Sequence, residues 1–299
     1  MSAFATRYNT TTVEGLEVFY REAGDRANPT VLLLHGFPSS SHMFRNLISS
    51  LADEYHLVAP DHIGFGRSAM PTTTQFTYSF DRLTEITEGL IAHLELDRFA
   101  LYIHDYGAPI GLRIASRRPE RITALITQSG NAYLEGFTPF WDVLFAHAKD
   151  RAANEDAVRE KFTPETTLWQ YTHGVPADRL DRIAPETWQL DQLGLDRKDK
   201  DAVQLQLFWD YQFNLDGYPG FQEYFRTHQP PLLVTWGKND EIFGAAGAEA
   251  FRRDLPNGEF HLLDAGHFAL ATHGAEISAY VRDFLSRNVR NSSQPASVT

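Results

Sequence analysis

The sequence predicts an α/β protein with a mostly parallel central sheet and helices on both faces of that sheet. Short, wholly apolar segments recur along the chain, and such segments are typical of strands buried on both faces. Amphipathic helical stretches separate these segments, which is the alternation expected of a parallel sheet. A long aromatic-rich stretch without a convincing strand interrupts the alternation and predicts a helical insertion.

The strands are predicted from two kinds of pattern. Leu16, Val18 and Tyr20 alternate with other residues and predict an opening strand with a weak period of two. The remaining strands are continuous apolar runs bounded by polar or turn-forming residues. These runs are 31–34, 56–60, 99–103, 122–126, 232–236 and 260–263.

Helices are predicted in the intervals between these strands. One helix is expected over about 43–53 and another over 110–116. Two further helices are predicted from apolar residues spaced three and four apart, a spacing that gives one buried stripe. The stripes are Leu83, Ile86, Leu90 and Leu94, and then Ile277, Tyr280, Val281 and Phe284.

The domain organisation follows from where this alternation stops and resumes. We expect a first part of the core over 1–131 and a helical insertion over 132–229, which we call the cap. The core resumes over 230–290, after Pro230 and Pro231. Residues 291–299 are polar and are expected to form a flexible tail.

Composition excludes several classes of function. The 299 residues include 39 acidic and 27 basic side chains, for a net charge of −12, so nucleic acid and anionic membrane surfaces are poor partners. The absence of cysteine excludes disulfides, thiolate metal sites and a cysteine nucleophile. The amino terminus lacks the apolar run of a signal peptide, and no apolar stretch reaches membrane-spanning length, so we expect a cytoplasmic protein.

The turn around Asp105 is the most informative part of the sequence. Ile103-His104-Asp105-Tyr106-Gly107 joins an apolar strand to a helix, and a tight turn of this kind exposes its central side chain above the sheet. A carboxylate at that place is suited to attack a saturated carbon and form an ester. Taken alone, Asp105 is equally compatible with a plain helix N-cap.

Two residues later in the chain favour the interpretation of Asp105 as a nucleophile over that of a helix N-cap. Asp240 follows the strand that ends near Trp236, and His267 follows the last strand. Nucleophile, acid and histidine in this chain order, each just past a strand end, match the order found in α/β-hydrolases. We therefore predict a catalytic triad of Asp105, Asp240 and His267, with Glu241 as the alternative acid.

These motifs resemble the Asp-nucleophile branch of the α/β-hydrolases, which contains epoxide hydrolases and haloalkane dehalogenases. The resemblance implies an α/β-hydrolase fold with the helical cap inserted after strand 6. It implies that Asp105 attacks substrate carbon, that His267 activates water to cleave the resulting ester, and that Asp240 orients His267. The resemblance implies a small apolar substrate as the partner. It implies no metal and no organic cofactor. The oligomeric state stays open.

His35-Gly36-Phe37-Pro38 is expected to complete the site. In this fold the loop after the third strand supplies one N–H group to the oxyanion hole, and the residue after the nucleophile supplies the other. The backbones of Phe37 and Tyr106 are therefore the predicted donors, and His35 and Gly36 shape the loop.

The substrate depends on what stabilises the leaving group. Epoxide hydrolases of this branch use cap tyrosines that donate hydrogen bonds to the ring oxygen. Tyr211, in Phe208-Trp209-Asp210-Tyr211, resembles one such tyrosine, and Tyr171 is our choice for the other, with Tyr133 as its alternative. The competing interpretation is that these tyrosines only pack inside the cap.

A haloalkane dehalogenase is the runner-up. Dehalogenases hold halide between side-chain N–H groups, but Phe37 and Tyr106 stand at two of the expected places and have none. Trp169, in Trp-x-Tyr, could supply a cap N–H group. A non-catalytic ligand-binding homologue is a further alternative, and an esterase is disfavoured because carboxylate attack on an acyl group gives an anhydride.

A glycine-rich segment carries a weaker signal. Gly64-Phe65-Gly66-Arg67-Ser68-Ala69 matches a dinucleotide-binding fingerprint by its letters, but it does not open a helix, so we interpret it as a turn.

Overall fold

The computed structural model describes residues 5–290, so the predicted tail over 291–299 lies outside the described residues. Its eight strands form one sheet in the order β1-β2-β4-β3-β5-β6-β7-β8. The strands are β1 (Arg7–Val13), β2 (Leu16–Ala23), β3 (Thr30–Leu34), β4 (His56–Pro60), β5 (Phe99–His104), β6 (Ile122–Gln128), β7 (Leu232–Gly237) and β8 (Glu259–Leu263).

The sheet is mostly parallel, which confirms the predicted fold class. Only the pairs β1–β2 and β2–β4 are antiparallel, and β4, β3, β5, β6, β7 and β8 run in the same direction. The carboxyl ends of the parallel strands therefore meet along one edge, where such sheets hold their ligands. Strand β1 is not predicted from the sequence, because Arg7–Val13 is polar and largely exposed at the sheet margin.

Helices cover both faces of this sheet. Leu32 and Leu34 of β3 pack into one apolar cluster, whereas Val31 and Leu33 pack into a second, as the alternation of side chains along a strand requires. The core helices are α1 (Arg45–Leu51), α2 (Phe80–His93), α3 (Gly107–Arg117), α10 (Ala245–Ala250) and α11 (Ala269–Leu285). The helix predicted over 43–53 is shorter than expected, since Ser41–Phe44 forms a 3-10 turn.

The chain between β6 and β7 contains the remaining α-helices. They are α4 (Asp142–Lys149), α5 (Arg151–Arg159), α6 (Pro164–Thr172), α7 (Pro185–Leu195), α8 (Lys200–Asp210) and α9 (Gln212–His228). Polar side chains tie this segment to the core: the Asp210 carboxylate accepts from the backbone N–H of Phe80 at 2.8 Å, and Arg197 donates to the Gly66 carbonyl at 3.0 Å. The division of the chain at 131 and 229 stays a prediction.

None of the helices within residues 5–290 combines the length and the apolar character needed to cross a membrane.

Candidate active site

Asp105 occupies a constrained corner between β5 and α3. Its φ of +49° lies in the left-handed region, which is unfavourable for a residue with a Cβ and is typical of strained functional turns. Gly107 allows the corner to form, because a Cβ there would lie 2.2 Å from the carbonyl oxygen of Leu34. Asp105 is 4% exposed, so the turn holds the carboxylate inside the molecule rather than capping a surface helix.

The loop after β3 binds the Asp105 carboxylate. The backbone N–H of Phe37 donates to Oδ1 of Asp105 at 2.6 Å. A Cβ on Gly36 would lie 2.2 Å from the same oxygen, so only glycine allows this close approach. The backbone N–H of Tyr106 also interacts with the carboxylate, which brings both predicted oxyanion-hole residues to Asp105.

Hydrogen bonds between two histidines fix this loop. Nε2 of His35 accepts from the backbone N–H of His62 at 3.1 Å, and Nε2 of His62 lies 2.9 Å from the carbonyl oxygen of His35. Burial lowers the pKa of His35 to about 3, so its ring is neutral and can accept. His35 and Gly36 therefore shape the loop that presents Phe37.

His267 lies between the two aspartates. Its Nδ1 is 2.9 Å from Oδ2 of Asp240, and its Nε2 faces Oδ2 of Asp105 at 4.0 Å. The other Asp240 oxygen accepts from the backbone N–H groups of Ile242 and Phe243, at 2.8 and 3.1 Å. Asp240 is thus held rigidly, and it in turn fixes the orientation of the His267 ring.

Glu241, the alternative acid, is not placed for this role. Its carboxylate lies 3.0 Å from Nε2 of His173, and its side chain is 63% exposed. Asp240, rather than Glu241, is therefore the acid that contacts His267.

Burial and charge shift the ionisation of the central pair. Burial raises the pKa of Asp105 to about 6, although the His267 charge and the N–H groups of Phe37 and Tyr106 oppose the rise. Burial alone would lower the pKa of His267, but the charge and hydrogen bond of Asp240, with the charge of Asp105, outweigh burial and raise it. Ionised Asp105 and protonated His267 thus stabilise each other.

Tyr211 reaches this site from the cap. Its ring centroid lies 6.0 Å from that of Tyr106, and its hydroxyl is buried without a hydrogen-bond partner among the described residues. Burial raises the pKa of Tyr211, and the neighbouring Tyr218 hydroxyl and then the Asp105 charge raise it further, so the phenol stays protonated at neutral pH. A buried, protonated and unpartnered hydroxyl is a ready hydrogen-bond donor.

The structure gives the hydroxyl of the second predicted tyrosine, Tyr171, a different partner. Tyr171 stacks on Phe268 at 4.0 Å, and its hydroxyl donates to Oδ2 of Asp191 at 2.5 Å, so this donor is not aimed at Asp105. Tyr133, its alternative, donates to Oδ2 of Asp254 at 2.8 Å. Each hydroxyl is satisfied by a nearby carboxylate, an interaction that helical spacing does not reveal.

Trp169, the predicted cap indole, packs against two other rings. Its ring stacks on Phe140 at 6.0 Å and on His173 at 4.8 Å, beside an open surface cleft of about 600 Å³. The tryptophan that does contact Tyr211 is Trp141, at 4.3 Å, but its indole N–H donates to the carbonyl of Ile242. The Trp141 indole N–H is therefore already used and is not free to hold a halide at Asp105.

Sequence reasoning missed Tyr218. It is buried, its hydroxyl accepts from Nδ2 of Asn131 at 3.4 Å, and it perturbs the ionisation of Tyr211 without forming a well-shaped hydrogen bond to it. The signal was present in the sequence, because Tyr211 and Tyr218 are seven residues apart and share one helical face.

Across residues 5–290, no group of three or more histidine, aspartate or glutamate side chains is arranged to hold a metal ion. The expectation of a site without metal or cofactor stays a prediction.

Comparison with known proteins places this geometry in context. The family model described as alpha/beta hydrolase fold matches residues 29–274. An uncharacterised hydrolase of Saccharomyces cerevisiae is 43% identical over 294 residues, which cover 96% of this chain and 100% of the relative. A cis-3-alkyl-4-alkyloxetan-2-one decarboxylase of Shewanella oneidensis is 25% identical over 86% of this chain and 81% of its own.

A solved structure shows the same fold. The crystal structure of a mutant haloalkane dehalogenase from Agrobacterium tumefaciens superposes with a TM-score of 0.80 at 21% identity. The match covers 96% of this chain and 100% of the dehalogenase.

Proposed function

The chain belongs to the α/β-hydrolase family, and from that premise we propose that it is an epoxide hydrolase. In this proposal it converts epoxides with a largely apolar body to vicinal diols, through a covalent ester on Asp105. The identity of the residue at the nucleophile corner supports this chemistry. A carboxylate that attacks saturated carbon forms an ester, which water can then cleave.

In the first step, an oxygen of ionised Asp105 forms a bond to one ring carbon of the epoxide. The bond between that carbon and the ring oxygen breaks, and the ring oxygen takes the electron pair. The developing alkoxide then receives the proton of the Tyr211 phenol. The product is an ester between Asp105 and the substrate, with one new hydroxyl group.

In the second step, neutral His267 removes a proton from a water molecule as the water attacks the ester carbonyl of Asp105. The 4.0 Å separation of Nε2 from Asp105 brings the histidine near that carbonyl without a direct hydrogen bond. The backbone N–H groups of Phe37 and Tyr106 stabilise the tetrahedral oxyanion. Its collapse releases the diol oxygen, which takes the proton held by His267, and leaves Asp105 as a carboxylic acid. The acid returns its proton to the Tyr211 phenolate, which restores both the Asp105 carboxylate and the Tyr211 phenol.

The observation that carries the choice of epoxide is the Tyr211 hydroxyl. It is buried near Asp105 and has no partner among the described residues. A phenol can transfer a proton to a ring oxygen, whereas halide departure needs no proton. The indole N–H of Trp141, whose ring contacts Tyr211, already donates to the carbonyl of Ile242, which disfavours a halide site built on this group.

We further propose that residues 132–229 act as the cap that closes the site. Phe208 of α8 lies 5.0 Å from Phe37, so a helix of this segment covers the loop that binds Asp105. The triad residues Asp105, Asp240 and His267 are each no more than 4% exposed. Exclusion of water during the first step strengthens the electrostatic interactions within the site.

The test traps the ester. Replacement of His267 by glutamine removes the base, so the ester should accumulate when the variant is mixed with styrene oxide or a bromoalkane. An intact-protein mass increase equal to the whole epoxide supports an epoxide hydrolase. An alkyl increase without halogen supports a dehalogenase instead. No adduct with either reagent, together with an inert wild-type protein, supports a ligand-binding homologue.

A further inference from the structure

Lys200 is a buried lysine that the proposed reaction does not use. It is 2% exposed, its Nζ donates to the carbonyl oxygen of Gly64, and it lies 3.6 Å from the centroid of the Phe65 ring. An ammonium group inside a protein is costly unless it is paired with an anion. Within residues 5–290, the contacts of this ammonium are a neutral carbonyl and an aromatic ring.

The charged surroundings of Lys200 increase this cost. Its charged neighbour is Arg197, whose positive charge, together with the larger effect of burial, lowers the pKa of Lys200. Burial also lowers the pKa values of His35 and His62, so these nearby rings are neutral. The ammonium form of Lys200 is therefore unfavourable without an anion beside it, and a bound carboxylate would stabilise that form.

Gln204 lies one helical turn further along α8. It is 0% exposed, and neither its amide oxygen nor its amide nitrogen has a hydrogen-bond partner among the described residues. Burying an amide without hydrogen bonds destabilises the folded protein, and hydrogen bonds to a bound polar group would offset that cost. Residues four apart on a helix are neighbours on the same face, so Gln204 is next to Lys200.

This face of α8 is directed at the candidate active site. One turn beyond Gln204, the Phe208 ring lies 5.0 Å from Phe37 and 6.0 Å from Tyr106. At the Lys200 end of this helix face, Lys200 contacts the Phe65 ring, whose centroid lies 6.2 Å from that of the Tyr106 ring. Lys200 and Gln204 therefore flank the rings that surround Asp105.

We propose that Lys200 and Gln204 form a subsite for a carboxylate at the end of the substrate remote from the reacting carbon. This inference rests on the proposed function and narrows its substrate class to epoxides with an apolar body and a terminal carboxylate. Lys200 has N–H groups beyond the one that Gly64 accepts, and Gln204 adds an amide N–H, so both can donate to one carboxylate.

A purely structural role for Lys200 makes a different prediction. If Lys200 only fastens α8 to the Gly64 loop, its removal weakens the fold and slows all substrates alike. A carboxylate subsite instead changes the preference between a charged substrate and a neutral one of the same length. The ratio of the two kcat/KM values therefore separates the two roles.

The experiment uses terminal epoxides that carry a carboxylate at the other end, over a series of about four to eleven carbons. Each is compared with the methyl ester of the same acid. We expect the wild-type protein to prefer the carboxylate at one chain length. Lys200→Met and Gln204→Leu should each reduce that preference at least tenfold and leave the rate on the ester within about threefold.

Matched controls exist on the same part of the chain. Lys198 is exposed, and Gln206 of α8 accepts from Arg151 with its amide oxygen. Lys198→Met and Gln206→Leu should keep the wild-type preference. Equal losses on acid and ester in both subsite variants, or no wild-type preference at any length, would overturn the proposal. If Lys200→Met fails to fold, Gln204→Leu carries the test.

A binding measurement separates this inference from the proposed function. Undecanoate and undecanol are titrated calorimetrically into the wild-type protein and into Gln204→Leu. If no epoxide is converted but undecanoate binds more tightly than undecanol, and Gln204→Leu removes the difference, the subsite stands and the proposed reaction fails. Equal binding of the acid and the alcohol rejects the subsite.

Discussion

Asp105 and Asp240 lie just past the carboxyl ends of strands, whereas Tyr211 and Tyr171 lie in the helical cap. At the strand ends, each side chain is held by backbone groups: the N–H of Phe37 binds Asp105, and the N–H groups of Ile242 and Phe243 bind Asp240. In the cap, the Tyr171 hydroxyl is held by the side chain of Asp191, and the Tyr211 hydroxyl has no hydrogen-bond partner among the described residues. Backbone-held groups are preorganised, so we expect their loss to cost more activity than the loss of cap groups.

The largest expected effect is at the nucleophile. Asp105→Asn removes the attacking carboxylate and should lower kcat for epoxide hydrolysis about 10⁴-fold or more. The matched control is Asp264→Asn, because Asp264 is half exposed and pairs with Lys238 at the surface. Steady-state diol formation measures both variants. If the Asp105→Asn protein retained a tenth of the activity, Asp105 would not be the nucleophile, and the proposed mechanism would be wrong.

Asp240 should follow in size of effect. Asp240→Asn removes the charge that orients and stabilises protonated His267, so hydrolysis of the ester should slow about 10³-fold while the ester still forms. Rapid mixing followed by mass measurement would show the ester accumulating. Glu241→Gln, one residue away, should leave both steps unchanged. A larger loss in Glu241→Gln than in Asp240→Asn would reverse the assignment of the acid.

Tyr211 and Tyr171 both lie in the cap, and we expect their substitution to have different effects. Tyr211→Phe removes the proton donor for the ring oxygen and should slow ester formation from an epoxide about 100-fold. Tyr171→Phe should change that rate less than threefold, but it should lower the free energy of unfolding by about 1–2 kcal/mol, because buried Asp191 loses a hydrogen bond. Single-turnover kinetics and urea denaturation measure the two effects. Equal rate losses would contradict the placement of Tyr171.

The smallest of these effects concerns pH. Asp105 must be ionised to attack, and burial raises its pKa to about 6, so the rate of ester formation should fall as pH falls through about 6. Below that point the loss should approach tenfold per pH unit. Single-turnover measurements between pH 5 and 8 test this. A rate that stays constant down to pH 5 would contradict the raised pKa of the nucleophile.

The same contrast explains what the sequence predicts well. The positions of Asp105, Asp240 and His267 follow from apolar strands that end in parallel at one edge, so a one-dimensional pattern suffices to bring them together. Strand β1 escaped prediction because its polar edge-strand sequence lacks an apolar pattern.

The hydrogen-bond partners of the cap tyrosines cannot be read from the sequence pattern. Tyr171 and Tyr133 have the right residue type, but each hydroxyl is taken by a carboxylate that is 20 or 121 residues away in sequence. Tyr211 was predicted by resemblance, and its neighbour Tyr218 was missed although it shares a helical face. Helical periodicity gives the face of a residue but not the partner that faces it.

A single turnover in water enriched in heavy oxygen tests the central claim most directly. Excess protein is mixed with an epoxide, and the diol of the first turnover is analysed for the label. If Asp105 forms the ester, water attacks its carbonyl carbon, so the first diol should contain unlabelled oxygen from the protein, and the label should appear in Asp105. Label in the first diol, with none in the protein, would show that water attacks the epoxide directly and would contradict the account.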